Sequence, residues 1–166
     1  MITRISIKTL SFLIAIFLFI LFVVIMFNSH FLGKIHESGH MYAWKIMTGN
    51  NCSFDVEMTE AEGTFMSICK GKNKATELQI VITKYSGYGF TTLIGLITMT
   101  TPVSALGGAI FFTDTYKIVM ISQTDFIGTP KIVVNLFVIL LFFLVITAVC
   151  IQVSWIRYFI KKLKKK

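Results

Sequence analysis

The sequence is poor in charged residues and contains only two prolines. Asp, Glu, Lys and Arg make up 14% of its 166 residues, whereas soluble domains contain about 25%. Apolar residues account for 55% of the chain, with 16 Phe among them, and the mean hydropathy is +0.76. This composition excludes an ordinary soluble domain and predicts an integral membrane protein, with a length suited to a single domain.

Acidic residues are particularly scarce, since 8 Asp and Glu stand against 16 Lys and Arg for a net charge of +8. Such an excess can indicate nucleic-acid binding, but here many basic residues directly follow the last apolar run: Arg157, Lys161, Lys162, Lys164, Lys165 and Lys166. A basic cluster in that position anchors a membrane helix on the cytoplasmic side and faces lipid headgroups. We therefore expect the lipid bilayer as a partner, and no nucleic acid.

Several motifs of other enzyme classes are absent. The chain has no GxxxxGK[ST] phosphate loop, no GxSxG nucleophile motif and no CxxC pair. Cys52 and Cys69 fall nearly opposite each other if the segment between them turns at residues 60–61, so a disulfide is geometrically conceivable. Nearby lysines favour a cytoplasmic location and free thiols instead. Cys150 lies within an apolar run and is most simply a packing residue.

Residues 36–40 read His-Glu-Ser-Gly-His, an arrangement that a helix turns into one chemical face. Positions i and i+4 share a side of a helix, so His36 and His40 can direct both imidazoles at one metal ion. A zinc site of this kind takes a third protein ligand from elsewhere and a water in the fourth position. Glu37 is then the expected general base. The alternative is that the motif is accidental. Its polar side chains would then lie on an apolar helix without a metal, which is unfavourable in free energy.

Four membrane segments are predicted, roughly at residues 10–27, 31–48, 86–112 and 132–159. The first contains eighteen uncharged residues, enough for a span of about 27 Å. Pro102 should bend or break the third segment, and residues 113–130 are expected to form a loop and a semi-apolar segment. His30 is not at helical spacing from His36, so we interpret it as an interfacial or capping side chain.

A β-like element is predicted at residues 51–84. Residues 52–58 and 63–69 alternate with a period near two, residues 59–62 form the expected turn, and residues 75–83 add a third β-like run. The predicted fold is mainly α: a polytopic membrane helix bundle of about four segments, with a small β-hairpin between the second and third. Basic residues at both ends predict cytoplasmic termini in a multi-pass protein of the cell membrane, and an even number of crossings.

The chain resembles the site-2 protease family of intramembrane zinc metallopeptidases, in particular its short, minimal branch. The resemblance rests on Ile35–Met41 after an apolar helix, on Tyr85–Gly89 opening a Gly-containing helix, and on Thr124–Pro130 ahead of the last segment. Order and spacing match over most of residues 20–145. The resemblance implies a zinc metalloendopeptidase that hydrolyses peptide bonds of membrane or membrane-adjacent protein substrates.

By the position of the family's motif, the resemblance also implies that the third zinc ligand is Asp125. Many members have a glycine directly after that aspartate, where this chain has Phe126. Asp114 is the competing candidate. The expected site thus consists of His36, His40 and Asp125 on Zn²⁺, with Glu37 as the catalytic base.

Two other functions remain open at this point. One is a non-catalytic zinc-binding or regulatory membrane subunit, which would bind metal without hydrolysis. The other is a structural membrane protein in which the histidine motif is accidental and no metal binds. The substrate's identity and the oligomeric state are not indicated by the sequence.

Overall fold

The computed structural model describes residues 6–28, 31–49, 52–59, 62–69, 76–120, 126 and 129–164. Helices dominate these residues, and two short strands follow the second helix. The elements in chain order are α1 (Ile7–Asn28), α2 (Phe31–Thr48), β1 (Cys52–Thr59), β2 (Glu62–Cys69), α3 (Glu77–Met99), α4 (Ser104–Met120) and α5 (Lys131–Leu163).

In the described part of the chain, three helices are long and apolar enough to cross a membrane: α1 over Ile7–Phe27, α3 and α5. The most apolar stretches of α1 and α5 are only 17% and 11% buried within the protein, and large side chains such as Phe17 and Phe143 are more than 60% exposed. Apolar surface on that scale is costly in water and favourable in lipid. The helices therefore indicate a membrane protein, as the composition predicts.

Helix α2 coincides with the second predicted segment but is not among these three helices. Lys34, Glu37 and Lys45 lie within its 18 residues and lower its mean hydropathy. Charged groups at the centre of a bilayer are costly unless they face protein or water. The fourth crossing thus stays a prediction.

The region predicted as one segment over 86–112 is two helices. Helix α3 ends at Met99 and α4 begins at Ser104, so the predicted break at Pro102 is confirmed. A Cβ added to Gly95 would lie 2.5 Å from the ring of Phe111. Residues 16 positions apart would be about 24 Å apart in a continuous helix. The chain therefore folds back between α3 and α4.

Two predictions about local structure are wrong. Residues 77–83, predicted as a third β-like run, are the first turns of α3. Residues 113–120, predicted as part of a loop, are the last turns of α4. Both segments contain local helix signals, which are taken up in the Discussion.

The chain divides into two compact units, one of Met1–Phe27 with Ile94–Lys166 and one of Asn28–Leu93. In the first unit α4 packs closely on α5, since a Cβ added at Gly108 would lie only 3.0 Å from Cβ of Ala148. In the second unit β1 and β2 pair antiparallel, in a register that runs from Cys52 opposite Cys69 to Thr59 opposite Glu62.

One polar side chain of α5 forms hydrogen bonds with the residues at the break between α3 and α4. Gln152 of α5 is 3% exposed. Its Nε2 donates a hydrogen bond to the Pro102 carbonyl at 2.8 Å, and its Oε1 accepts from the Ala105 N–H at 3.0 Å and from Ser104 Oγ at 3.2 Å. Backbone groups freed by a helix break in a membrane need such partners, because lipid offers none. Gln152 thereby stabilises the start of α4.

Candidate metal centre

The two histidines of α2 face each other on its buried side. His36 is 9% exposed and His40 8%, and their Nε2 atoms are 3.1 Å apart. Two nitrogens bound to one tetrahedral zinc, at Zn–N distances of about 2.0–2.1 Å, lie about 3.3 Å apart. The separation that the i, i+4 spacing predicts is therefore present, and it is close to the one that a shared ion requires.

The tautomer of His40 is determined by α3. Nδ1 of His40 lies 2.7 Å from the Thr83 carbonyl oxygen. Because a carbonyl oxygen only accepts hydrogen bonds, Nδ1 carries the proton and Nε2 of the neutral ring carries a lone pair. The outer partner of a metal-binding histidine fixes the ring in this way. Nε2 of His40 is thus the atom available to a metal.

Ser86 supports the same carbonyl. Its Oγ donates to the Thr83 oxygen at 2.5 Å and lies 3.5 Å from Nδ1 of His40. The Thr83 carbonyl therefore accepts from a hydroxyl as well as from the imidazole. The bond from His40 holds the first turns of α3 against the histidine face of α2, whereas the Ser86 bond lies within α3.

A buried aromatic ring fixes the other histidine. Tyr88 is 2% exposed, and its ring meets that of His36 edge to face, with centroids 4.5 Å apart and planes at 77°. Edge-to-face packing is the favoured arrangement of such rings. Tyr88 thus limits the rotation of His36 and excludes water from one side of the pair.

Glu37 completes the group. It is half-buried, and its carboxylate and the two histidines offer ligand atoms that all lie within 4.8 Å of one another. Among the residues that the structure describes, these form the one cluster of three His, Cys, Asp or Glu side chains close enough to hold a metal ion. Imidazole nitrogens suit zinc, and the Glu37 carboxylate lies close enough to act beside an ion held by the pair.

The third predicted ligand is not located, because Asp125 lies outside the described residues. The competing Asp114 is on α4, in the other compact unit, and is 1% exposed. A carboxylate buried to that degree in a membrane protein is costly and is usually functional. Of the predicted site residues, the structure places His36, Glu37 and His40 close together.

The histidine pair and the neighbouring Glu37 were predicted from the sequence, but the contacts of Thr83, Ser86 and Tyr88 that hold the two imidazoles were missed. The motif at Tyr85–Gly89 was singled out from the sequence, but its contact with α2 depends on packing between segments more than 40 residues apart. The chain matches no family model, no curated protein and no solved structure. Functional assignment therefore depends on the geometry of α2 and α3.

Proposed function

We propose that the protein is a membrane-embedded zinc metalloprotease that hydrolyses peptide bonds of membrane or membrane-adjacent protein substrates. The observation that carries the proposal is the facing pair of Nε2 atoms, 3.1 Å apart, with the lone pair of His40 directed by its bond to the Thr83 carbonyl. A catalytic zinc site also needs a base next to the ion, whereas a purely structural histidine pair does not. The Glu37 carboxylate lies next to the two imidazoles.

Each residue has a defined role in this proposal. His36 and His40 bind the ion, and Asp125 is the third ligand, with Asp114 as its competitor. When bound, zinc supplies Lewis acidity, which makes a water acidic and polarises the scissile carbonyl. Glu37 would be the general base, which takes a proton from the attacking water and passes it to the leaving amine. Tyr88 and the Thr83 carbonyl keep the two imidazoles in place.

The two-stranded sheet offers a way to hold a substrate. Within the described residues β1 and β2 pair only with each other, so each strand has one outer edge. An extended peptide can add to such an edge through main-chain hydrogen bonds. A membrane helix has to unwind before its backbone can be hydrolysed, and strand addition would hold the unwound segment next to α2, which packs on both strands.

The test is cleavage by the purified protein in detergent, with casein as an open general substrate and a quenched fluorescent peptide whose apolar span contains Gly and Pro. We expect cleavage by wild type to stop when zinc is chelated and to return when zinc is added back. Glu37→Gln should lower the rate by about 10²–10⁴-fold, the range for loss of a general base, while zinc remains bound.

The matched control is Glu77→Gln, which makes the same chemical change at an exposed site in the first turn of α3 and should leave the rate unchanged. Equal cleavage by wild type and Glu37→Gln would contradict the role given to Glu37. Stoichiometric zinc in a protein that cleaves neither substrate would favour the non-catalytic zinc-binding subunit.

A further inference from the structure

Gly87 of α3 lies against both imidazoles of the histidine pair. A Cβ added at this position would be 2.5 Å from Nε2 of His40, 2.6 Å from Nε2 of His36 and 2.7 Å from Cε1 of His36. Carbon atoms do not approach other side chains this closely without a shift. The lack of a side chain at residue 87 is thus a condition for the observed arrangement of the pair.

The two closest atoms are the Nε2 nitrogens, which are the atoms that would bind a shared ion. Zinc bonds to imidazole at about 2.0–2.1 Å, only about 0.5 Å less than these separations. The point where a methyl group would lie is nearly equidistant from both nitrogens and directly beside them. A methyl there would take up space that an ion shared by both histidines needs.

We propose that Gly87 is a positioning residue that keeps open the coordination space between His36 and His40. This inference rests on the zinc site of the proposed function and extends it to a residue without a ligand atom. Its role depends on the two imidazoles that would bind the ion, in contrast to that of a glycine needed only for close packing of helix backbones.

The imidazoles cannot simply rotate away from a new methyl group. His40 is held through Nδ1 by the Thr83 carbonyl at 2.7 Å, and His36 is packed against the ring of Tyr88. Rotation of either ring loses one of these contacts and turns Nε2 away from the other histidine. A substitution at residue 87 therefore has to disturb ligation, the support of the ligands, or both.

Two neighbouring glycines show that this property is particular to Gly87. A Cβ at Gly39 would meet the Ser86 carbonyl oxygen at 2.5 Å and Cβ of Phe90 at 2.8 Å, which are contacts of helix packing. Gly89, two residues along α3, is exposed and would have no atom within 4 Å of a new Cβ. Gly89→Ala is thus a matched control for Gly87→Ala.

The experiment measures the zinc content of wild type, Gly87→Ala and Gly89→Ala, and their affinity for Co²⁺ from its visible absorption, which reports tetrahedral coordination. We expect about one zinc in wild type and Gly89→Ala. Gly87→Ala should bind Co²⁺ about 100-fold more weakly, the upper end of the range for disturbed support of metal ligands, with helix content unchanged.

A second measurement keeps the inference testable if Gly87→Ala is less stable. Metal-free Gly87→Ala should unfold at a lower temperature than metal-free wild type, because the methyl clashes with the imidazoles. In a His36→Ala/His40→Ala background, Gly87→Ala should cause no loss of stability, since the clashing rings are gone. The difference between the losses of stability in the two backgrounds is the coupling energy of a double-mutant cycle.

Zinc and Co²⁺ binding by Gly87→Ala at wild-type strength would overturn the inference and leave the proposed function standing. Equal losses in Gly87→Ala and Gly89→Ala, or the same destabilisation in both backgrounds, would overturn it as well. Wild type that binds neither metal would overturn the proposed function together with this inference.

Discussion

At the scale of single residues, the face shared by His36 and His40 follows from the helical period and is therefore predictable from sequence. The direction of the His40 lone pair is not, because it depends on a carbonyl 43 positions further along the chain. The role of Tyr88 was missed for the same reason, since edge-to-face contact with His36 is a property of the packed helices α2 and α3.

The identity of the proposed third zinc ligand can also be tested with single substitutions. The resemblance to site-2 proteases implies that Asp125 is the third ligand. Asn at this position keeps the shape of the side chain but removes the negatively charged carboxylate that would bind zinc. We expect Asp125→Asn to lose most of its bound zinc and Asp114→Asn to keep it, as measured by zinc content at unchanged helix content. The reverse pattern would assign the ligand to Asp114, whose buried position on α4 is the alternative.

At the scale of elements, the long uncharged runs predicted α1 and α5, and the bounds of α2 agree with the predicted segment at 31–48. The start of α3 was missed because alternating apolar residues suggested a strand. A local helix signal is present there: the Thr76 N–H donates to Gln79 Oε1 at 2.8 Å, and the Gln79 N–H donates to Thr76 Oγ1 at 3.3 Å. This reciprocal capping box marks a helix start.

The end of α4 was missed because its Thr and Asp residues suggested a loop. In the structure two of these hydroxyls bond within the helix, Thr113 Oγ1 to the Ala109 carbonyl at 2.9 Å and Thr115 Oγ1 to the Phe111 carbonyl at 2.7 Å. The hydroxyl of a threonine can donate a hydrogen bond to a backbone carbonyl of the preceding helical turn. Polar residues therefore do not end a helix whose hydroxyls find partners of this kind.

The Gln152 contact gives a prediction at this scale. Gln152→Leu keeps a side chain of similar size but leaves the Pro102 carbonyl and the Ala105 N–H without their present partner. Buried groups left unpaired cost about 1–3 kcal/mol, so we expect a lower midpoint in thermal unfolding in detergent. Ser154→Ala is the control, because Ser154 is exposed and bonds only to the Cys150 carbonyl of its own helix. Equal midpoints for Gln152→Leu and wild type would contradict this account of the helix break.

At the scale of the whole molecule, the count of crossings determines on which side each end lies. Three crossings would place the two ends on opposite sides, whereas the basic residues at both ends predict the same side. A fourth crossing can come from α2 or from α4, whose 17 residues extend about 26 Å. Because α4 folds back from α3, it is a candidate that the sequence did not suggest.

The central claim is that α2 carries a metal site, and zinc content tests it most directly. Protein purified in detergent without added metal should contain about one zinc per chain in wild type and in Glu37→Gln, because the proposal gives Glu37 the role of a base beside the ion and not that of a ligand. His36→Ala and His40→Ala should each lose the zinc while keeping wild-type helix content. Well-folded wild type without zinc, even after zinc is supplied, would contradict the account and leave a structural membrane protein.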